Sequence, residues 1–226
     1  MSAKPEQLAD ALWRWTARHP EWHPGEFGRE VASFAAAAGD DLLLIDPLLP
    51  AEPRPVLDLI DGLIRGRVAI LISVPYHVRS SEELWRRYRD RTDCTIWGHA
   101  ACAKRLGDRA GFREIELGVP LPGGVSAHAI GRPRRQETPL YIPGQRALVF
   151  GDAVAEVGGK LRVWSTGKVD DRRARWHRER FNPTLEPLLE LDLERVLVTH
   201  GRPVLSDGRA ELRAALAARP WYRLGG

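Results

Sequence analysis

The chain has 226 residues, with 34 Lys and Arg against 30 Asp and Glu and a net charge of +4. That length suits one α/β domain spanning 1–226, able to bury a continuous core without stapling. No stretch approaches the roughly 18 apolar residues needed to cross a bilayer, and Met1–Glu6 lacks the apolar core of a signal peptide, so a cytoplasmic, non-membrane protein is expected.

Leu8, Leu12 and Trp15, spaced among charges, predict a short amphipathic helix or helical turn between Pro5 and His19. His19-Pro20 and His23-Pro24-Gly25 break it. Two apolar runs, Val31 to Ala37 and Leu42 to Asp46, flank Ala38-Gly39-Asp40-Asp41 and predict a β-hairpin. A helix from Val56 to Ile64 and a strand from Val68 to Ser73 follow. Ser80 with Glu83 reads as a capping box opening a helix to about Arg89. Cys94 to Trp97 is another strand; Cys94 and Cys102 fit no zinc or thioredoxin spacing and are expected as free structural thiols. Short strands are predicted at Glu114 to Val119, Val125 to Ile130, Pro139 to Ile142 and Leu148 to Phe150. A helix from Pro183 to Leu191, a strand from Arg195 to Thr199, and a helix capped by Ser206 or Asp207 and running through Ala218 complete the chain. Strands alternating with helices define the α/β class.

Four apolar runs stop at a polar or ionisable group: Leu42–Ile45 at Asp46, Ala69–Ile72 at Ser73 and then His77, Leu148–Phe150 at Gly151-Asp152, and Val196–Val198 at Thr199-His200. Buried strands read as short hydrophobic stretches, so chemistry past their carboxyl ends gathers on one rim.

The order of Leu43-Leu44-Ile45-Asp46-Pro47, Leu140-Tyr141-Ile142-Pro143, Leu148-Val149-Phe150-Gly151-Asp152 and Val198-Thr199-His200-Gly201 resembles the metallo-β-lactamase superfamily, from about Val31 to Ala218. The resemblance implies an αβ/βα sandwich: two mixed sheets face to face, helices on the outer faces, and a rim site for one or two zinc, iron or manganese ions that hydrolyses esters, thioesters, lactams or phosphodiesters. A metal there would lower the pKa of bound water to about 7.

The metal-binding motif is largely replaced. Where the family carries Thr-His-x-His-x-Asp-His, this chain reads Ser73-Val74-Pro75-Tyr76-His77-Val78-Arg79-Ser80. Aligned without a gap, Val74, Tyr76, Val78 and Arg79 fill the ligand slots; one extra turn residue would make His77 the second His. In place of Pro-Gly-His-Thr stands Ile130-Gly131-Arg132-Pro133, which puts Arg132 in a histidine slot. Asp152 and His200 are the positions that match cleanly. An ordinary centre needs three or four protein donors, and a guanidinium repels a cation.

The resemblance therefore implies an eroded site holding no metal or one weakly bound Zn, Fe or Mn ion, with Asp152, His200 and His77 as its ligands or acid-base groups. Arg79 and Arg132 would bind an anionic group of a substrate in bidentate fashion and neutralise Asp152. Asp46 is read as a turn-forming or supporting carboxylate and His99 as structural. The leading expectation is a hydrolase-like protein acting on an anionic ester-type substrate; the alternative is a metal-free pseudoenzyme or binding protein for a small anionic molecule or partner. Nucleic-acid binding through Arg132–Arg135 and Arg172–Arg180, with Trp176 to stack on a base, ranks last. Such charge runs more often coat a solvated face.

Overall fold

The computed structural model describes residues 4–22 and 28–222. The predicted His23-Pro24-Gly25 break lies outside them. The chain opens with β1 (Glu6–Ala9) and β2 (Leu12–Arg18), an antiparallel hairpin with Ala11 at φ +56° in its turn. This corrects the predicted helix. Leu8, Leu12 and Trp15 fit a helical spacing, but in the hairpin Leu12 faces one core and Trp15 another, which an alternating strand achieves and a single helix stripe does not.

β3 (Glu30–Ala38) and β4 (Asp41–Ile45) form the expected hairpin around Gly39. Next come α1 (Arg54–Leu63), β5 (Val68–Ile72), α2 (Ser81–Tyr88), β6 (Cys94–Gly98) and β7 (Phe112–Glu114). Strands β1 to β7 lie in sequence order in one sheet, antiparallel up to β4 and parallel from β4 to β7. The second sheet, in the order β13-β10-β9-β8, comprises β8 (Ser126–Ala127), β9 (Leu140–Ile142), β10 (Ala147–Phe150) and β13 (Arg195–Val198). β10 and β13 are parallel.

A small hairpin absent from the sequence reading, β11 (Val154–Val157) and β12 (Lys160–Val163), follows β10. The predicted helix from Pro183 to Leu191 is a pair of 3₁₀ turns, Asn182–Thr184 and Glu186–Glu190. α3 (Asp171–Trp176) continues into a π-helical turn, His177–Phe181, and α4 (Gly208–Ala217) ends the order. Neither expected cap bonds its helix: Asp207 sits at φ +55° without a side-chain cap, and Ser80 Oγ instead accepts the Leu49 N–H at 3.0 Å.

Strand alternation sorts the core into layers. Leu43, Ile45, Ala69 and Leu71 of the first sheet meet Leu140, Ile142, Ala147 and Val149 of the second. On the outer face of the first sheet Leu42, Leu44, Ile70 and Ile72 pack against Val56, Ile60, Leu84 and Trp85 of α1 and α2. On the outer face of the second, Leu148, Phe150, Val196 and Val198 pack against Leu212 and Leu216 of α4. The result is an αβ/βα sandwich. Backbone bonds join the sheets at the rim, from Ala32 N–H to Thr199 O at 2.8 Å and from Thr138 N–H to Ser73 O at 2.7 Å.

Candidate functional site

β4, β5, β10 and β13 deliver their carboxyl ends to this rim. Asp46 follows β4 with φ +47° and is 1% exposed. Its Oδ1 accepts the Ser73 N–H at 2.8 Å, while Oδ2 accepts the Ser73 hydroxyl and meets His77 Nδ1 at 2.8 Å. Its carbonyl accepts from Ser33 Oγ and from Arg79 Nη1, at 2.8 and 2.9 Å. One buried carboxylate thus organises the turn after β5. His77, on the 3₁₀ turn Pro75–Val78, is held by Nδ1, so its Nε2 faces Asp152 Oδ1 at 3.4 Å.

His200 Nε2 approaches the same oxygen of Asp152 at 3.5 Å, and Arg134 Nη1 lies 3.4 Å from Oδ2. The Arg134 guanidinium stacks over the Trp164 ring at 4.4 Å. Asp152, His200 and His77, spread over 124 positions of sequence, therefore meet, and Arg79 joins them. Arg132 does not. It is exposed, beside a cis bond to Pro133, and Arg134 occupies the place expected of it. A turn closed by the Arg134 N–H to the Gly131 carbonyl at 3.0 Å leaves Arg132 exposed and Arg134 partly buried. His99 caps a 3₁₀ turn, its Nδ1 accepting the Ala101 N–H at 3.0 Å.

The electrostatics follow from burial and partners. Burial would raise the Asp152 carboxyl, but His77, His200 and Arg134 hold it well below the usual carboxylate range. Burial and Arg79 pull the His77 imidazolium down, yet Asp46 and Asp152 outweigh them and raise its pKa. For His200, burial dominates the single carboxylate beside it and the pKa falls.

A residue missed in the sequence stands behind Asp152. Glu137, 1% exposed, accepts the N–H groups of Gly151 and Ala153, each at 3.0 Å. Burial pushes its carboxyl up to about 7, Asp152 adds to the rise and Arg134 opposes it. Oε2 of Glu137 has no hydrogen-bond partner among the described residues. Glu137-Thr138-Pro139 carries no motif, so only the fold reveals it.

Over these groups lies a cleft of about 350 Å³, lined by Val31, Tyr76, His77, Arg79, Asp152 and His200 among others. Arg105 sits 4.1 Å over the Tyr76 ring at its edge. Nε and Nη2 of both Arg79 and Arg134 are buried without a hydrogen-bond partner among the described residues.

No family model matches the sequence, and no curated protein matches it significantly. Solved structures do match in shape. TMB-1 superposes with a TM-score of 0.64 at 14% identity, over 96% of this chain and 98% of that one. A metallo-β-lactamase from Pontibacter korlensis gives 0.62 at 14%, over 96% and 99%. A chemotaxis sensor, ODP, described with a peroxy diiron species, gives 0.63 at 15%, over 97% and 96%. The fold is that of the metallo-β-lactamases.

The metallo-β-lactamase fold raises the question of a metal ion, and the donor set here fits one poorly. Among the described residues no three His, Cys, Asp or Glu side chains are grouped so as to hold one. The Asp152 carboxylate is already contacted by two imidazoles and a guanidinium. Arg79, partly buried beside Asp46, acts electrostatically on His77 and His200 and would oppose a dication.

Proposed function

We propose that this protein binds a small anionic molecule in the cleft over Asp152 and that Arg79 and Arg134 take the role a metal cation would otherwise fill. The observation that carries this reading is the set of four buried guanidinium nitrogens, Nε and Nη2 of each arginine, lacking an acceptor among the described residues. Burying a donor unsatisfied costs about 1–3 kcal/mol, more for a charged group. A carboxylate or phosphate would satisfy these donors with charge-assisted bonds that suit the planar guanidinium. The metallo-β-lactamase fold imposes no particular chemistry, since one fold hosts many functions.

Thermal unfolding of chelator-treated protein with small carboxylates and phosphate monoesters tests the reading. A ligand at about 100 times its Kd stabilises by about 2.7 kcal/mol, which for a chain of this size is a rise in Tm of about 5–11 °C. Arg79→Gln and Arg134→Gln should each abolish the rise. Equal Tm values with and without every anion would reject the proposal.

A second reading, hydrolysis of an ester of that anion, is favoured by the 2.8 Å contact between Asp46 and His77. It leaves Nε2 directed at Asp152 on the wall of the cleft, and an imidazole held by a carboxylate at Nδ1 is the arrangement of a general base. Turnover of carboxylate or phosphate esters, lost in His77→Gln while ligand stabilisation persists, would establish it. Binding without turnover of any such ester would leave the protein a binder.

A further inference from the structure

The basic segment Arg172–Arg180, which the cleft does not use, borders a second cavity of about 530 Å³. Its lining includes Asp170, Arg172, Arg173, Trp176, His177 and Pro133. That volume falls within the range of about 300–1,000 Å³ typical of small-ligand sites.

Trp176 is 38% exposed, unusual for an indole, yet it is firmly held. One side stacks on the fully buried Phe181, with ring centroids 6.5 Å apart and planes 8° from parallel, and His177 meets it edge-on at 5.2 Å. A rigid indole with an open face is a stacking platform whose ordering cost is already met. The turn that fixes Phe181 and His177 is π-helical, a form found disproportionately at functional positions.

The polar groups complement that platform. Arg172 and Arg173 are in no ion pair among the described residues, whereas Asp171 pairs with Arg219 at 2.9 Å and Arg178 with Glu179 at 3.9 Å. Asp170 lines the cavity, with Oδ1 already accepting the Arg173 N–H at 2.7 Å. His177 is 1% exposed, and its Nδ1 has no hydrogen-bond partner among the described residues. Burial, helped by Arg173 and Arg134, brings its pKa down to about 4, so the ring is neutral and offers one donor and one acceptor.

We propose that this second cavity binds a mononucleotide: Trp176 stacks on the base, Arg172 and Arg173 take the phosphate, Asp170 accepts from the ribose hydroxyls, and His177 bonds the edge of the base. Each element answers one part of such a ligand, and stacking on an indole is tolerant of base identity. The site is separate from the cleft over Asp152 and does not depend on the function proposed for that cleft. A cavity of single-ligand size favours the free nucleotide over a nucleic-acid strand.

Isothermal titration calorimetry of the full chain with AMP, GMP, UMP, adenosine, inorganic phosphate and oligothymidylate tests this. At least one nucleotide should bind with a Kd below about 1 mM. Adenosine and inorganic phosphate should each bind at least about tenfold more weakly, as should that nucleotide to Trp176→Ala and to the Arg172→Ala/Arg173→Ala double variant. Circular dichroism checks that these exposed substitutions leave the fold intact. Arg79→Gln should bind the nucleotide unchanged. The proposal is overturned if no nucleotide binds at that level, if inorganic phosphate binds as tightly as the nucleotide, if Arg79→Gln abolishes binding and so places the ligand in the cleft, or if oligothymidylate binds at least about tenfold more tightly than UMP, which would make the surface a nucleic-acid site.

Discussion

Asp152 is partly buried at the cleft and Glu137 is fully buried, yet their surroundings drive the two carboxyl groups in opposite directions. Asp152 is held below its ordinary range by His77, His200 and Arg134, so its contribution to stability is present above the unfolded value near 3.8 and is lost as pH falls through the depressed folded value. Glu137 is raised from 4.5 to about 7, so its contribution is fully present below 4.5 and is lost as pH rises to about 7. Glu137→Gln keeps an oxygen for the Gly151 and Ala153 N–H groups but cannot titrate. Between those pH limits the wild type should lose about 3 kcal/mol relative to the variant, read from urea unfolding across the range. A difference that stays constant with pH would mean that folding does not raise the Glu137 carboxyl. Asp46→Asn addresses the other partner of His77. With burial and Arg79 still acting and one carboxylate gone, the His77 pKa should fall, visible in its imidazole NMR titration, and breaking the buried pair should destabilise the chain by about 3–5 kcal/mol. At this scale the sequence displayed Asp152, His200 and His77, because each ends or follows an apolar run. Arg134 and Glu137 were hidden: which arginine of Arg132-Pro133-Arg134-Arg135 turns inward depends on the path of the loop, and a buried acid outside any motif leaves no periodic trace.

Secondary-structure elements were legible where one face or both faces of a strand are apolar. β4, β5, β10 and β13 read as continuous hydrophobic runs because each is covered on both sides by a core layer. The β1–β2 hairpin misled because its two sides feed different cores, so its apolar residues mimic a helical stripe. The β11–β12 hairpin was missed because only half of its residues are fully buried and its turn is Gly158-Gly159, without a strong apolar flank. The element that carries His200 is fixed by the next residue. Gly201 has φ +93°, and a Cβ there would lie 2.5 Å from Glu156 Oε2 and 2.6 Å from the Glu156 carbonyl. The side chain could rotate away; the backbone oxygen could not. Gly201→Ala should therefore cost about 1–3 kcal/mol and shift His200, whose carbonyl accepts the Glu156 N–H at 3.0 Å. Chemical denaturation measures the cost, and a weaker anion-induced rise in Tm reports the displaced imidazole.

Across the whole molecule, what joins the two sheets decides how the protein answers metal removal. The inner faces interlock through Leu43, Ile45, Leu71, Leu140, Val149 and their neighbours, and backbone bonds close the rim at Ala32–Thr199 and Ser73–Thr138. Within the site, Asp152 is bridged to the first sheet by His77 and to the β13 end by His200, so protein groups span the seam between the two halves. A metal-dependent domain loses its binding free energy on chelation and unfolds at lower temperature. Here dialysis against a chelator should leave Tm unchanged, and zinc, iron or manganese returned at stoichiometric level should not raise it. Anions should still raise it after chelation, and raise it less as ionic strength increases, because the long-range attraction of Arg79 and Arg134 for a ligand is screened. A fall in Tm on chelation that one equivalent of metal restores would show that the imidazoles and the carboxylate serve a cation after all, and that Arg134 moves aside to let it in.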